Sequence, residues 1–261
     1  MSPAARGAEG VGILVSVSGR ASVGDAQAHA TCRIRLVHDA APTPPEPAPA
    51  FLHALEGRFI VFDGPDGSGK TTQLRRFTRA CRARGVRLCE VREPGGTPVG
   101  ERVRDILLDR AHEEMAVRCE TLLYMASRAQ LVEQVIRPAL AQGELVVADR
   151  FVSSTLAYQG AAGGIPIDDI NTLARIACDS VRPDLVVIFD VDERAAAKRL
   201  GLLLDRMEAK GAAFHKRVRE GYLEQARAEP DRHLVIDASH DADTVTASLF
   251  DALSAWASAH A

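Results

Sequence analysis

Eight consecutive residues, Gly64-Pro65-Asp66-Gly67-Ser68-Gly69-Lys70-Thr71, carry the densest chemistry in the chain. They satisfy G-x-x-x-x-G-K-[ST], in which glycines let the backbone curl until successive amides point at phosphate oxygens. The lysine neutralises the outer phosphates of a nucleotide, and the hydroxyl after it reaches Mg2+. The apolar run Phe59 to Phe62 leads into the segment, and the helical Thr72-Gln73-Leu74-Arg75-Arg76-Phe77 follows. That is the strand, turn and helix setting in which a helix N-terminus binds anions. Gly64, Pro65, Asp66, Gly67, Ser68, Gly69, Lys70, Thr71 and Thr72 are therefore the expected phosphate-binding residues.

A catalytic Mg2+ site needs a second oxygen donor besides Thr71, at a strand end near this loop. Leu145-Val146-Val147-Ala148 runs into Asp149-Arg150, and a parallel sheet places Asp149 at its C-terminal edge beside the loop. Asp149 is the expected metal ligand. Asp63, which ends the first strand, is a weaker acid candidate, with burial against the sheet as its alternative.

The elements that position these groups are legible in the apolar pattern. Continuous apolar runs at Phe59 to Phe62, Val86 to Val91, Leu145 to Ala148, Leu185 to Val191 and Leu234 to Ile236 lack polar alternation, the pattern of strands buried on both faces. Helical faces lie between and after them: Val99, Val103 and Leu107; Phe214, Val218 and Tyr222; Val245, Leu249 and Leu253. Cys81 shares a face with Leu74 and Phe77 and reads as core. Alternating strands and helices predict an α/β domain of the P-loop NTPase fold, a five-stranded parallel sheet with helices on both faces.

Composition sets outer limits. The 261 residues are 46% hydrophobic and 26% charged, with net charge −3. Near-balanced charge excludes nucleic-acid binding through bulk charge, and no apolar run is long enough to cross a bilayer. Five scattered cysteines without a CxxC pair read as reduced thiols of a cytoplasmic protein. Residues 1–56 contain no Lys, are rich in Ala, Gly, Ser and Pro, and end in closely spaced prolines, so they are expected not to pack. The domain is expected to span 57–261.

Further segments point to an acceptor: Arg92-Glu93-Pro94-Gly95-Gly96-Thr97-Pro98-Val99-Gly100-Glu101, Tyr124-Met125-Ala126-Ser127-Arg128-Ala129-Gln130, Asp149-Arg150 through Tyr158-Gln159-Gly160, and Asp205-Arg206-Met207-Glu208. Together with the phosphate loop, in this order and spacing, they closely resemble bacterial thymidylate kinases from about Arg58 to the C-terminus. The resemblance implies transfer of the ATP γ-phosphoryl group to dTMP, giving dTDP, with Mg2+ as cofactor. It implies that Asp66 sits near the acceptor phosphate and helps arrange Mg2+. Arg150 would hold phosphate, and Arg128 would donate to the thymine O4. Tyr124 would lie under the base. Thr155 and Tyr158 would line base and sugar, with Tyr158 disfavouring a 2′-hydroxyl. Glu93, Pro94 and Gln159 would complete the nucleoside pocket. The catalytic set is then Lys70, Asp66, Arg150 and Arg206.

One departure stands out. Proteins of this kind usually bring catalytic positive charge from a mobile lid before the DR-x-E motif, whereas this chain reads Lys198-Arg199-Leu200-Gly201-Leu202-Leu203-Leu204-Asp205-Arg206. Arg206 is the expected remaining donor, with Arg199 second. The alternatives are a kinase for another deoxynucleoside or nucleotide acceptor, or a degenerate nucleotide-binding protein without turnover. The resemblance also implies a homodimer, for which the apolar positions Leu122, Leu123 and Val132 are candidates, as they are for the core.

Overall fold

A computed structural model describes residues 49–199 and 205–260 of the chain. Five strands, β1 (Phe59–Asp63), β2 (Leu88–Arg92), β3 (Leu145–Asp149), β4 (Leu185–Asp190) and β5 (His233–Asp237), form one sheet in the order β2-β3-β1-β4-β5. Every pairing is parallel, as expected. The strands begin and end close to the apolar runs that predicted them. β2 starts later than Val86 because the Val86 amide donates to the Cys81 carbonyl at 3.1 Å and closes the preceding turn.

Alternation along each strand divides two cores. Ile60, Phe62, Leu145, Val147, Leu185, Val187 and Phe189 face one layer with Leu74, Phe77 and Cys81 of α1 (Lys70–Ala83). Val245, Leu249 and Leu253 of α9 (Ala242–Ala259) close that layer. Phe59, Val61, Val146, Ala148, Val186 and Ile188 face the other side, beneath Leu131 of α3 (Val117–Leu131) and Val218 and Tyr222 of α8 (Ala212–Ala228). Each fully buried side chain of this size contributes about 1.5–3 kcal/mol, which is why the central strands β1, β3 and β4 carry no polar alternation; β2 and β5, expected to be buried on both faces, are edge strands that expose Glu90 and Arg92, and Val235 and Asp237. Val132 belongs to this second core and is fully buried, so of the residues considered for self-association it is excluded.

The expected boundary at residue 56 falls too late. Ala50–Leu55 form a 3-10 helix whose Leu52 and Leu55 are fully buried in the first core, with the Phe51 ring 6.3 Å from that of Phe250. The proline-rich character stops at Pro49, and Phe51, Leu52 and Leu55 supply an apolar face that α9 covers. The rest of the expected extension, residues 1–48, and the leucines at 200–204 lie outside the described residues.

The site follows from the strand order. β1 connects through α1 towards β2 on one side, while β3 connects through α5 (Val152–Thr155) and α6 (Ile167–Cys178) towards β4 on the other. Neighbouring strands whose connections leave in opposite directions open a crevice at their C-terminal ends. Asp63-Gly64 and Asp149-Arg150 sit at that crevice.

Candidate active site

The loop after β1 can close only with glycines at two places. Gly64 has φ 142°, and a Cβ there would lie 2.6 Å from the Phe189 carbonyl oxygen; Gly67 has φ 76°, and a Cβ would lie 2.5 Å from that of Ala196. A side chain at either would be strained and would collide with backbone. Gly69, also left-handed, precedes α1, whose start is fixed by the Thr72 amide donating to the Gly69 carbonyl at 3.0 Å. Pro65, Asp66, Gly67, Ser68, Gly69, Lys70, Thr71 and Thr72 line one cavity of about 660 Å³, and Gly64 is buried. The α1 N-terminus thus adds its dipole to the loop amides and the Lys70 ammonium.

Lys70 is buried and pairs with the Asp149 carboxylate at the end of β3. Burial, reinforced by the nearby Arg150 charge, pushes its ammonium below the usual lysine range, with Asp149 pulling the other way. Thr71 and Asp149 line the same cavity. A hydroxyl and a carboxylate are hard oxygen donors suited to Mg2+, and they leave its other positions to phosphate oxygens and water.

Arg150 organises the opposite wall from a left-handed backbone with φ 72°, a conformation costly for a residue with a Cβ and kept only where surroundings impose it. Its Nη1 donates to the Gly64 carbonyl at 3.1 Å, Ser154 Oγ at 3.0 Å and Tyr222 Oη at 3.1 Å, and its Nη2 to Asp66 Oδ1 at 2.5 Å. The guanidinium lies 5.2 Å from the Tyr158 ring centre, and the Tyr158 hydroxyl donates to Asp66 Oδ2 at 2.6 Å. Burial works against the Arg150 charge, yet Tyr158, Asp66, Tyr222 and Asp63 hold its pKa well above the ordinary value. Asp63, fully buried, accepts from Tyr222 Oη at 2.6 Å, Ser154 Oγ at 2.7 Å and the Gly64 amide at 2.9 Å. It buttresses Arg150, which matches the burial alternative for Asp63 and not the catalytic one.

The third wall joins Glu93 and Pro94, after β2, to Tyr124 of α3 and to Thr155, Tyr158 and Gln159. The structure does not bring Arg128 into the lining. It lies 1% exposed behind this wall, its Nε donating to Glu93 Oε2 at 2.8 Å and its Nη2 to the Phe151 carbonyl at 3.1 Å and Thr155 Oγ1 at 3.2 Å. The remaining nitrogen, Nη1, donates to the Met125 sulfur at 3.2 Å. Burial lifts the Glu93 carboxyl to about 7, with Arg128 pulling it down. Burial also raises the Tyr124 phenol, so it stays neutral.

Asp205, Met207 and Glu208 close the cavity. Arg206, between them, does not line it. Only 4% exposed, it sends Nη1 to Glu120 Oε2 at 2.6 Å and Nε to the Leu107 carbonyl at 2.8 Å. Arg206, the expected source of catalytic charge, is thus held by a buried carboxylate on α3 and not brought into the cavity. Arg199 does line the cavity, its Nη1 donating to the Ala238 carbonyl at 2.8 Å beside the phosphate loop.

Arg104 of α2 (Pro98–Leu108) also lines the cavity, donating from Nη1 to the Pro94 carbonyl at 3.0 Å. Sequence reasoning missed it, because nothing in its spacing distinguishes it from solvent-facing arginines such as Arg102. Tyr222 was read only as a core position, and its hydroxyl role needs the fold to bring α8 against β1.

Comparison with known proteins agrees with this geometry. Residues 62–249 match the family model described as thymidylate kinase. The thymidylate kinase of Symbiobacterium thermophilum is 45% identical over 188 residues, covering 72% of this chain and 88% of that protein. That of Deinococcus radiodurans is 44% identical over 201 residues, covering 76% and 97%. The crystal structure of thymidylate kinase from Ehrlichia chaffeensis superposes with a TM-score of 0.62 at 34% identity, covering 75% of this chain and 97% of that one. The match of the family model over most of the chain, and of these relatives over most of their own length, around a cavity built from a phosphate loop, a strand-end Asp-Arg pair and an aromatic-lined wall, shows that the chain belongs to the thymidylate kinase family.

Proposed function

We propose that this chain transfers the γ-phosphoryl group of ATP to dTMP, giving dTDP and ADP. The observation that carries the reading is that one cavity is lined at one end by Lys70, Thr71 and the loop amides and at the other by Asp66, Arg150 and Tyr158. Phosphoryl transfer between two anions needs positive charge between them and in-line placement, with little covalent chemistry from the protein. The α1 N-terminus and Lys70 hold the donor phosphates. Arg150, fixed on Gly64, Ser154, Tyr222 and Asp66, holds the acceptor phosphate, and Asp66 aligns Arg150 and Tyr158 towards it. Mg2+, held by Thr71 and Asp149, would neutralise charge on the donor phosphates.

On the acceptor side, Tyr124 offers a ring face for the base. Glu93, Pro94, Thr155 and Gln159 enclose the nucleoside, and Tyr158 crowds the position of a 2′-hydroxyl. Arg128 acts from behind this wall. Its Nη1, whose protein partner is a weakly accepting thioether sulfur, keeps donor capacity for the thymine O4.

The family assignment and the exposed apolar residues Val99, Ile106 and Leu122 on packed helices α2 and α3 support a homodimer through this face. Free thiols at Cys81, Cys89, Cys119 and Cys178 fit the cytoplasm. Size-exclusion chromatography with light scattering tests the dimer, which a monomer at micromolar concentration would refute. The activity is tested by presenting dTMP, dUMP and thymidine side by side with ATP and Mg2+. Preference for dTMP supports the reading; preference for thymidine would show a deoxynucleoside kinase, and ligand binding without product a protein that no longer turns over.

A further inference from the structure

Glu120 is a carboxylate that the cavity does not touch, yet it gathers more cationic partners than any residue of its wall. It is fully buried on α3, and its two oxygens accept from Arg206 Nη1 at 2.6 Å, from Lys210 Nζ at 3.1 and 3.2 Å, and from Gln159 Nε2 at 2.7 Å. Of these partners, Arg206 lies within the segment in which Asp205, Met207 and Glu208 line the cavity, and Lys210 lies two residues beyond it. The third, Gln159, lines the acceptor side directly. The segment is self-braced as well: Asp205 Oδ1 accepts from the amides of Met207 at 2.8 Å and Glu208 at 2.9 Å, and Glu208 Oε2 accepts from the Asp205 amide at 3.0 Å. A rigid turn braced on one buried anion moves as a unit if that anion is withdrawn.

We propose that Glu120 is a positioning residue for phosphoryl transfer. Through Arg206, Lys210 and Gln159 it fixes the Asp205–Glu208 wall in register with the acceptor side, opposite Asp66 and Arg150. The inference rests on the phosphotransfer reading above. It gives the anion a role that stability alone does not explain, since a buried ion pair replaced by apolar groups of similar volume is often neutral or stabilising, whereas removing one partner is strongly destabilising. None of the four groups bonds to the phosphate loop, so ATP binding is expected to survive their loss. Turnover depends on alignment and is not, because misplacement of about 1 Å can cost about 100-fold in rate.

The test compares wild type, Glu120→Gln and the neutral pair Glu120→Gln with Arg206→Met, by steady-state kinetics with ATP and dTMP and by thermal melting. Glu120→Gln leaves Arg206 buried without its counter-charge and is expected to be both less stable and slower. The neutral pair is the deciding variant. It is expected to melt near the wild-type temperature, to keep its KM for ATP within about threefold and to lose at least about tenfold in kcat. Wild-type kcat in the neutral pair would overturn the proposal, as would a loss expressed wholly in the KM for ATP. A neutral pair that fails to fold or melts far below wild type would overturn it too, making the cluster a stability element. Wild-type protein that forms no dTDP would instead sink the phosphotransfer reading, and it is scored first in the same assay.

Discussion

Tyr158 donates its hydroxyl to Asp66 Oδ2 at 2.6 Å, while the other oxygen of that carboxylate takes Arg150 at 2.5 Å. Asp66 therefore spans the two residues assigned to the acceptor phosphate and sugar, from a position inside the donor loop. Tyr158→Phe keeps the ring beside Arg150 and removes only the hydroxyl. A hydrogen bond to a charged group is worth about 1.5–3 kcal/mol, so kcat/KM for dTMP is expected to fall at least about tenfold, with the KM for ATP unchanged. A variant with wild-type kcat/KM for dTMP would remove the Tyr158–Asp66 bond from the mechanism.

Arg150→Lys tests whether shape or charge matters at the strand end. Lysine keeps the positive charge but cannot reach Gly64, Ser154, Tyr222 and Asp66 at once, and it still carries the left-handed backbone at φ 72°. Loss of the planar fork is expected to cost about 100-fold or more in kcat/KM. Retention of more than half the activity would show that a point charge suffices.

Burial lifts the Glu93 carboxyl from an ordinary 4.5 to about 7, against the pull of Arg128. The folded state then holds this proton more tightly than the unfolded chain does. The group's contribution to stability is fully present below pH 4.5 and is lost as pH rises through about 7. Melting temperatures of wild type relative to Glu93→Gln, measured from about pH 5 to about pH 8, are expected to decline and then level. A difference that rises across that window would contradict the assignment.

The corrected boundary is equally testable. Every residue lining the cavity follows position 64, so a chain beginning at Pro49 is expected to keep its activity. A start at residue 56 deletes the Leu52 and Leu55 that fill the first core. Leu55→Ala alone is expected to cost about 2–5 kcal/mol in chemical denaturation. A cost below about 1 kcal/mol would show that the 3-10 helix adds little.

What could be read from the sequence was local. The phosphate loop declares itself because glycine conformation, lysine charge and helix start occur in adjacent residues, and the buried strands do so because apolar runs without alternation have few other fates. The residues of the third wall were named only through the family resemblance that their motifs carry. Leu52 and Leu55 were misread because the preceding prolines dominate composition while their partner, α9, lies nearly 200 residues on. The partner of Arg206 was hidden for a related reason: its motif marks a segment, but only the fold shows Glu120, on α3, taking the guanidinium at 2.6 Å. The Tyr222 bond to Asp63 spans 159 residues and has no local signature at all.

Counting product against donor separates phosphoryl transfer from hydrolysis. Purified protein with ATP, Mg2+ and dTMP is followed by ADP release, with dTDP quantified chromatographically in the same samples. One dTDP per ADP is expected in the wild type, with a rate reduced by about 100-fold or more in Lys70→Ala. ADP release without dTDP, or undiminished transfer by Lys70→Ala, would contradict the proposed mechanism.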